Sequence, residues 1–199
     1  MEPGATRLSL LARARDPADG AAWTEFEQRY RDLVHHYALA RGLQFCDADD
    51  ICQIVFLRLS RYLRSFEYAP GRGRFRSYLG AIVRNVISDQ MRCPEARRGP
   101  VDQNEDVLQA QRDLRAPESD ERWEQEWVNH HCRLALTTIR RTFDLRSVEV
   151  FEALLAGATP ETVAAQRGLS MDAVAKIRQR VRMRMKELIE DQVRDEEDT

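Results

Sequence analysis

Positions 66 to 76, FEYAPGRGRFR, set Phe66, Tyr68 and Phe75 among Arg72, Arg74 and Arg76. Aromatic rings stack on unpaired bases while guanidinium groups follow phosphates, so this interleaving suits single-stranded nucleic acid. A solvated loop packed by its own aromatics is equally compatible with the spacing. Pro70, Gly71 and Gly73 break any helix through the segment, which leaves these side chains to be positioned by the helices on either side.

A second concentration of chemistry lies near the C-terminus. Arg167, Lys176, Arg178, Arg180, Arg182, Arg184 and Lys186 are opposed only by Asp172, a net +6 on a chain whose total charge is -2. From Asp102 to Glu126 nine acids face three arginines, a net -6, so opposite charges are segregated along the sequence. The overall charge alone argues against a nucleic-acid binder, whereas this distribution favours one. Within the basic stretch, Thr159 is suited to cap a helix that opens with Pro160 and Glu161. Gly168 suits its left-handed end, and Ser170 caps a second helix. Two helices joined by a short turn with glycine make a helix-turn-helix, whose second helix enters the major groove. Val163, Ala164, Leu169, Val174, Ile177 and Val181 form its expected core, and Ser170, Lys176, Gln179, Arg180 and Arg184 its expected DNA side. A merely solvated basic face is the plainer alternative.

The elements that must hold these residues are helical almost throughout, with no sustained β-branched alternation, and the fold class is all-α. Two small domains are expected, at 8–93 and 121–193, joined by a linker at 94–120. The linker is inferred from Pro94, Gly99, Pro100 and Pro117 among charges and few bulky apolar residues. In the first domain, Asp47 is read as the N-cap of a helix with the core stripe Ile51, Ile54, Val55, Leu59, Tyr62 and Leu63. Phe56 and Leu57 sit off that stripe's centre beside Gln53, where an aromatic is more often a second packing contact than a binding residue. A further helix, near Arg76 to Arg92, buries Leu79, Ile82, Val83, Val86 and Ile87 and leaves Arg84, Asn85 and Arg92 on a polar face. The closing DEEDT reads as a solvated acidic tail.

Hydrophobic content of 43% and charged content of 32% are ordinary for a soluble protein, and no apolar run approaches the roughly 20 residues of a membrane span. The N-terminus lacks the uninterrupted apolar centre of a signal peptide, and the expected location is the cytoplasm. Cys46, Cys52, Cys93 and Cys132 have no C-x-x-C spacing and are read as free thiols. His35, His36, His130, His131 and Cys132 invite a metal-enzyme reading, but adjacent histidines on a helix diverge and no H-E-x-x-H pattern accompanies them. Catalytic residues, metal and cofactor are all expected to be absent.

The ordered segments resemble the two domains of RNA polymerase sigma factors of the extracytoplasmic-function (ECF) type. DADDICQIVFLRL resembles the core-binding helix, region 2.2, with Asp50, Gln53, Val55 and Phe56 on the pattern. RFRSYLGAIVRNVISDQMR resembles regions 2.3 and 2.4, with Phe75, Arg76, Leu79, Ile82, Arg84, Asn85, Asp89 and Arg92 in place and Tyr78 where tryptophan is usual. The helix-turn-helix resembles region 4.2, which contacts the minus-35 element. Ile54 departs from the pattern, because an acid commonly follows the glutamine.

The resemblance implies a non-enzymatic protein that initiates transcription. Asp50, Gln53, Val55 and Phe56 would dock on the clamp of the polymerase's largest subunits. Phe66, Tyr68, Arg74, Phe75, Arg76, Arg84, Asn85 and Arg92 would take minus-10 DNA, and Ser170, Lys176, Gln179, Arg180 and Arg184 minus-35 DNA. Core polymerase and promoter DNA are the implied partners. An anti-sigma factor, common in the family, is a further candidate, and membrane insertion is not expected. A stand-alone helix-turn-helix regulator accounts for residues 159 to 186 but leaves the first domain without a role.

Overall fold

The computed structural model describes residues 10–63, 75–92 and 120–197. Their regular structure is helical: α1 Leu10–Ala14, α2 Gly20–Ala40, α3 Phe45–Tyr62, α4 Phe75–Arg92, α5 Glu121–Thr142, α6 Leu145–Leu155, α7 Pro160–Arg167 and α8 Met171–Glu197. No helix among the described residues is long and apolar enough to cross a membrane. The chain divides into two compact units, unit 1 comprising 1–128 with 195–199 and unit 2 comprising 129–194. The sequence reading instead begins the second domain at 121. Nearly all of the expected linker lies outside the described residues.

In unit 1, α2 starts where the Asp19 carboxylate accepts from the Ala22 amide at 2.8 Å, satisfying a donor that helix geometry leaves unpaired. Phe26, Tyr30, Leu33, Val34 and Tyr37 recur at three- and four-residue steps and are all buried. The third helix begins two residues before Asp47. Gln44 is its N-cap and makes no side-chain capping bond, so Asp47 belongs to the first turn, where negative charge suits the helix dipole. Ile51, Val55, Leu59 and Leu63 form its buried stripe, while Ile54 and Tyr62 are half-buried at the margins. Phe56 is only 4% exposed and meets Phe26 edge-on at 6.4 Å, a core position that the sequence reading puts off the stripe. All five expected apolar residues of α4 are buried.

The first two turns of α5 complete this core. Trp123 and Trp127 are 2% and 4% exposed and join the cluster that contains Phe26, Tyr30, Tyr37, Phe75 and Leu79. Trp123 donates from Nε1 to the Arg76 carbonyl at 3.2 Å and meets the Tyr37 ring edge-on at 5.1 Å. Its ring also occupies the space beside Gly80: a Cβ built there would lie 2.7 Å from Nε1 and 2.8 Å from Cε2. Asp120 precedes the helix and accepts from the Trp123 amide at 3.2 Å, from the Tyr37 hydroxyl and from Arg41 at 3.3 Å. Burial would raise the Asp120 carboxyl, but these hydrogen bonds and the Arg41 charge hold it below its ordinary value. The Glu196 carboxylate, also in unit 1, is 9% exposed and accepts from the Tyr30 hydroxyl at 2.6 Å. Helix α8 therefore continues to Glu197, and this part of the expected solvated tail is ordered and partly buried.

Unit 2 has two apolar clusters. Ile139, Val148, Phe151 and Val181 make one; Val150, Val163, Ala164 and Val174 make the other, with Ile177 packing against both. Its helices start as local chemistry dictates. Asp144 accepts from the Ser147 amide at 2.8 Å to cap α6, and Thr159 accepts from the Thr162 amide at 3.3 Å to cap α7. Gly168 ends α7 at φ 59°, a left-handed conformation that costs glycine little, and Ser170 accepts from the Ala173 amide at 3.2 Å to begin α8.

Two stability predictions follow from this packing. Gly80→Ala should cost about 1–3 kcal/mol in urea unfolding, because the rigid, buried indole has little room to yield. Burial, then the bond to Asp120, pushes the Tyr37 hydroxyl from 10.0 up to about 12. A raised tyrosine contributes fully below its unfolded value and loses that contribution as pH climbs from 10 towards 12. Tyr37→Phe should therefore shallow the alkaline fall in denaturation midpoint; Tyr30 and Tyr78, both raised by burial, keep part of it.

Candidate nucleic-acid and polymerase interfaces

On α3, Asp50 and Gln53 project outward, whereas Val55 and Phe56 are fully or nearly buried. The four pattern residues thus occupy two faces of one helix. The outward face also carries Leu57, 54% exposed, with half-buried Ile54 beside Gln53. Leu57 lies four residues after Gln53 and seven after Asp50, so helical spacing alone offered the signal for including it. An exposed leucine between polar neighbours is a suitable centre for a protein contact. Val55 and Phe56 shape that face from behind.

On α4, Phe75 is 2% exposed and packs against Phe26 at 5.7 Å, Tyr30 at 5.3 Å and Trp127 at 6.5 Å. Its ring is not available for stacking on a base in this conformation. Arg76 is paired with Glu124 and lies 5.5 Å over the Trp127 ring. Arg84 and Asn85 are half-buried. Arg58 of α3, another cation missed by the pattern, reaches Asp89 at 3.3 Å and ties the two helices together. Tyr78 is 6% exposed, so the residue in the usual tryptophan position is a core side chain here. Phe66, Tyr68 and Arg74 lie outside the described residues, as does the side chain of Arg92.

In unit 2 the outward face of α8 follows from its burial pattern. Val174, Val181 and half-buried Ile177 point to the core, so at 100° per residue Asp172, Gln179, Met183, Lys186 and Lys176 lie on the opposite side of the helix. Lys176 and Gln179 are exposed, Met183 is 58% exposed, and Arg182 flanks them. Arg182, counted in the basic stretch, and Met183 are not among the expected DNA-side residues, although the same periodicity contains them.

Arg180 differs from its neighbours. It donates to the Ser147 hydroxyl at 2.7 Å and to the Asp144 carboxylate at 3.2 Å, and it sits 5.3 Å over the Phe143 ring. Hydrogen bonds from the Ser147 amide and hydroxyl, then the Arg180 charge, hold Asp144 below its ordinary value. Arg184 pairs with Glu187 at 2.9 Å, and Ser170 serves as the α8 cap. The expected minus-35 set therefore separates into outward Lys176 and Gln179 and three residues engaged within the protein. His130 and His131 are 1% and 2% exposed, and His131 Nδ1 lies 2.8 Å from the Gln192 side-chain oxygen. Among the described residues no group of three or more His, Cys, Asp or Glu is placed to hold a metal.

The two faces of α3 are separable by mutation. Phe56→Ala should cost about 3–5 kcal/mol in urea unfolding, while Gln53→Ala should stay within about 0.5 kcal/mol.

Residues 27–98 match the Sigma-70 region 2 family. A solved structure described as CnrH in complex with the cytosolic domain of CnrY is 21% identical, with 92% of this chain and 96% of that chain covered and a TM-score of 0.36. A likeness of that degree carries no weight for fold or function. No curated protein matches. The match spans α3 and α4 and most of α2, the helices that form the unit 1 core. Over these helices the chain is similar to region 2 of sigma-70 factors.

Proposed function

We propose that the chain is an ECF-type sigma factor that brings core RNA polymerase to specific promoters and starts transcription there without catalysis of its own. The observation that carries this reading is a region 2 domain followed, in the same chain, by a capped helix-turn-helix with an outward basic face. Asp50, Gln53 and Leu57 would meet the polymerase clamp. Lys176 and Arg182 would hold phosphates of the minus-35 duplex while Gln179 reads a base edge. Arg180 would set the angle of α8 through Asp144 and Ser147. The segment around Phe66, Tyr68 and Arg74, with Arg76, Arg84, Asn85 and Arg92, would take unpaired minus-10 bases.

Strand separation in this scheme is driven by binding free energy. Stacking on an aromatic contributes about 1–3 kcal/mol per base, and neither nucleophile nor cofactor is required. The site of action would be the cytoplasm, with an anti-sigma factor as a further partner.

In vitro transcription with bacterial core polymerase and a promoter library should give promoter-specific transcripts only when this protein is added. Failure of transcription and core binding, with tight duplex binding by the free protein, would establish a stand-alone regulator instead. Within the holoenzyme, Lys176→Ala and Arg182→Ala should each lower the salt slope of promoter binding by about 1. Gln179→Ala should relax preference at one base pair by about 1–3 kcal/mol. Arg180→Ala should weaken binding with a smaller change of salt slope. Leu57→Ala and Gln53→Ala should weaken core binding and leave stability unchanged.

A further inference from the structure

Arg167 is the last residue of α7, and by sequence it counts among the cations of the basic stretch. The fold of unit 2 engages it within the protein instead. Its guanidinium pairs with the Glu149 carboxylate, and its carbonyl accepts from Arg146 Nη2 at 3.0 Å. Arg146 and Glu149 are three residues apart on α6, the spacing that places two side chains on one face of a helix. One residue of α7 is thus held twice by one face of α6. The last carbonyls of a helix have no partner within it and carry the negative end of its dipole, so a guanidinium satisfies both.

These contacts decide position more than stability. The Arg167 and Glu149 side chains are 40% and 37% exposed, and exposed ion pairs add little to folding. The last three residues of α7 are exposed, and its buried residues, Val163 and Ala164, lie a turn earlier. Beyond Arg167 come Gly168 at φ 59°, then Leu169, whose amide bonds back to the Ala164 carbonyl at 2.9 Å, then Ser170, the α8 cap. A displacement of Arg167 is carried through this short turn into the start of α8. Asp144 and Ser147, at the start of the same α6, engage Arg180 of α8. The opening turns of α6 therefore hold α7 and α8 separately, by different side chains.

We propose, resting on the sigma-factor reading above, that Arg146 and Glu149 are positioning residues for promoter recognition, setting the helix-turn-helix turn through Arg167, which is itself a brace and not a phosphate contact. Promoter affinity then depends on side chains that touch no DNA, and one cation of the basic stretch leaves the DNA face.

Binding of the holoenzyme to a promoter that it transcribes, measured across a salt series, tests this. Arg146→Ala, Glu149→Ala and Arg167→Ala should each weaken binding about threefold with the salt slope unchanged. Loss of a phosphate contact at Arg167 would instead lower that slope by about 1. Exchange of the pair, Glu149→Arg with Arg167→Glu, should bring binding back to within about twofold of the native chain, a rescue that a phosphate-binding Arg167 does not permit. A lowered slope in Arg167→Ala, native affinity in Arg146→Ala and Glu149→Ala, or an exchanged pair that binds no better than Glu149→Arg alone overturns the proposal and leaves the sigma reading intact. A second arm needs no promoter. Hydrogen exchange read by mass spectrometry on the free full chain should show a peptide over 165–171 exchanging about threefold faster in Arg146→Ala and Glu149→Ala, with α5 peptides unchanged. Unchanged exchange sinks the brace whatever the chain binds; faster exchange in a chain that supports no transcription keeps the brace and overturns the sigma reading alone.

Discussion

The indole of Trp123 lies against the Gly80 backbone where a side chain would collide with it, and through this contact a helix beginning far along the chain becomes part of the unit 1 core. Gly80 permits the approach, the Arg76 carbonyl satisfies the indole N–H, and Tyr37 closes one side of the ring. A buried tryptophan without that carbonyl would strand a donor away from water. Packing and hydrogen bonding thus fix the same geometry. Trp127, one turn later, extends the aromatic cluster to Tyr30 and Phe75 and brings its ring under Arg76.

Charge is used differently in the two units. In unit 1, Arg76 is matched by Glu124 and Arg58 by Asp89. In unit 2 the cations of α8 fall into two groups. Arg180, Arg184, Lys186 and Arg194 each meet a carboxylate of the protein, whereas Lys176, Arg178 and Arg182 are exposed with no ion pair among the described residues. A net charge near zero therefore coexists with a locally cationic face, because most acids lie elsewhere in the sequence.

The helix-turn-helix was legible because its signals are local: Thr159, Gly168 and Ser170 act on backbone groups within a few residues. The buried stripes of α3 and α4 were legible from periodicity for the same reason. Contacts that join distant positions were not. Nothing near Trp123 announces Gly80, and nothing near Glu196 announces Tyr30, so the start of α5 was assigned to the second domain and the end of α8 to a solvated tail. Phe56 is the second packing contact that its position off the stripe favours, because α2 and α4 enclose a wider arc of α3 than one stripe. Gln44 was passed over in favour of Asp47 because composition ranks caps by chemistry, while the backbone turn that starts α3 lies upstream. In α8, periodicity identifies an exposed set but cannot show that Arg180 is engaged by the cap of α6.

That engagement of Arg180 divides the helix by freedom to vary. A change at Arg180 disturbs the Asp144 cap and the seat of Phe143 together, so it carries a structural penalty whatever the outward face of α8 contacts. Lys176, Gln179, Arg182 and Met183 carry no such obligation within the fold. Substitutions would therefore accumulate more freely at those four positions than at Arg180, Asp144 and Ser147, which are constrained as a linked trio.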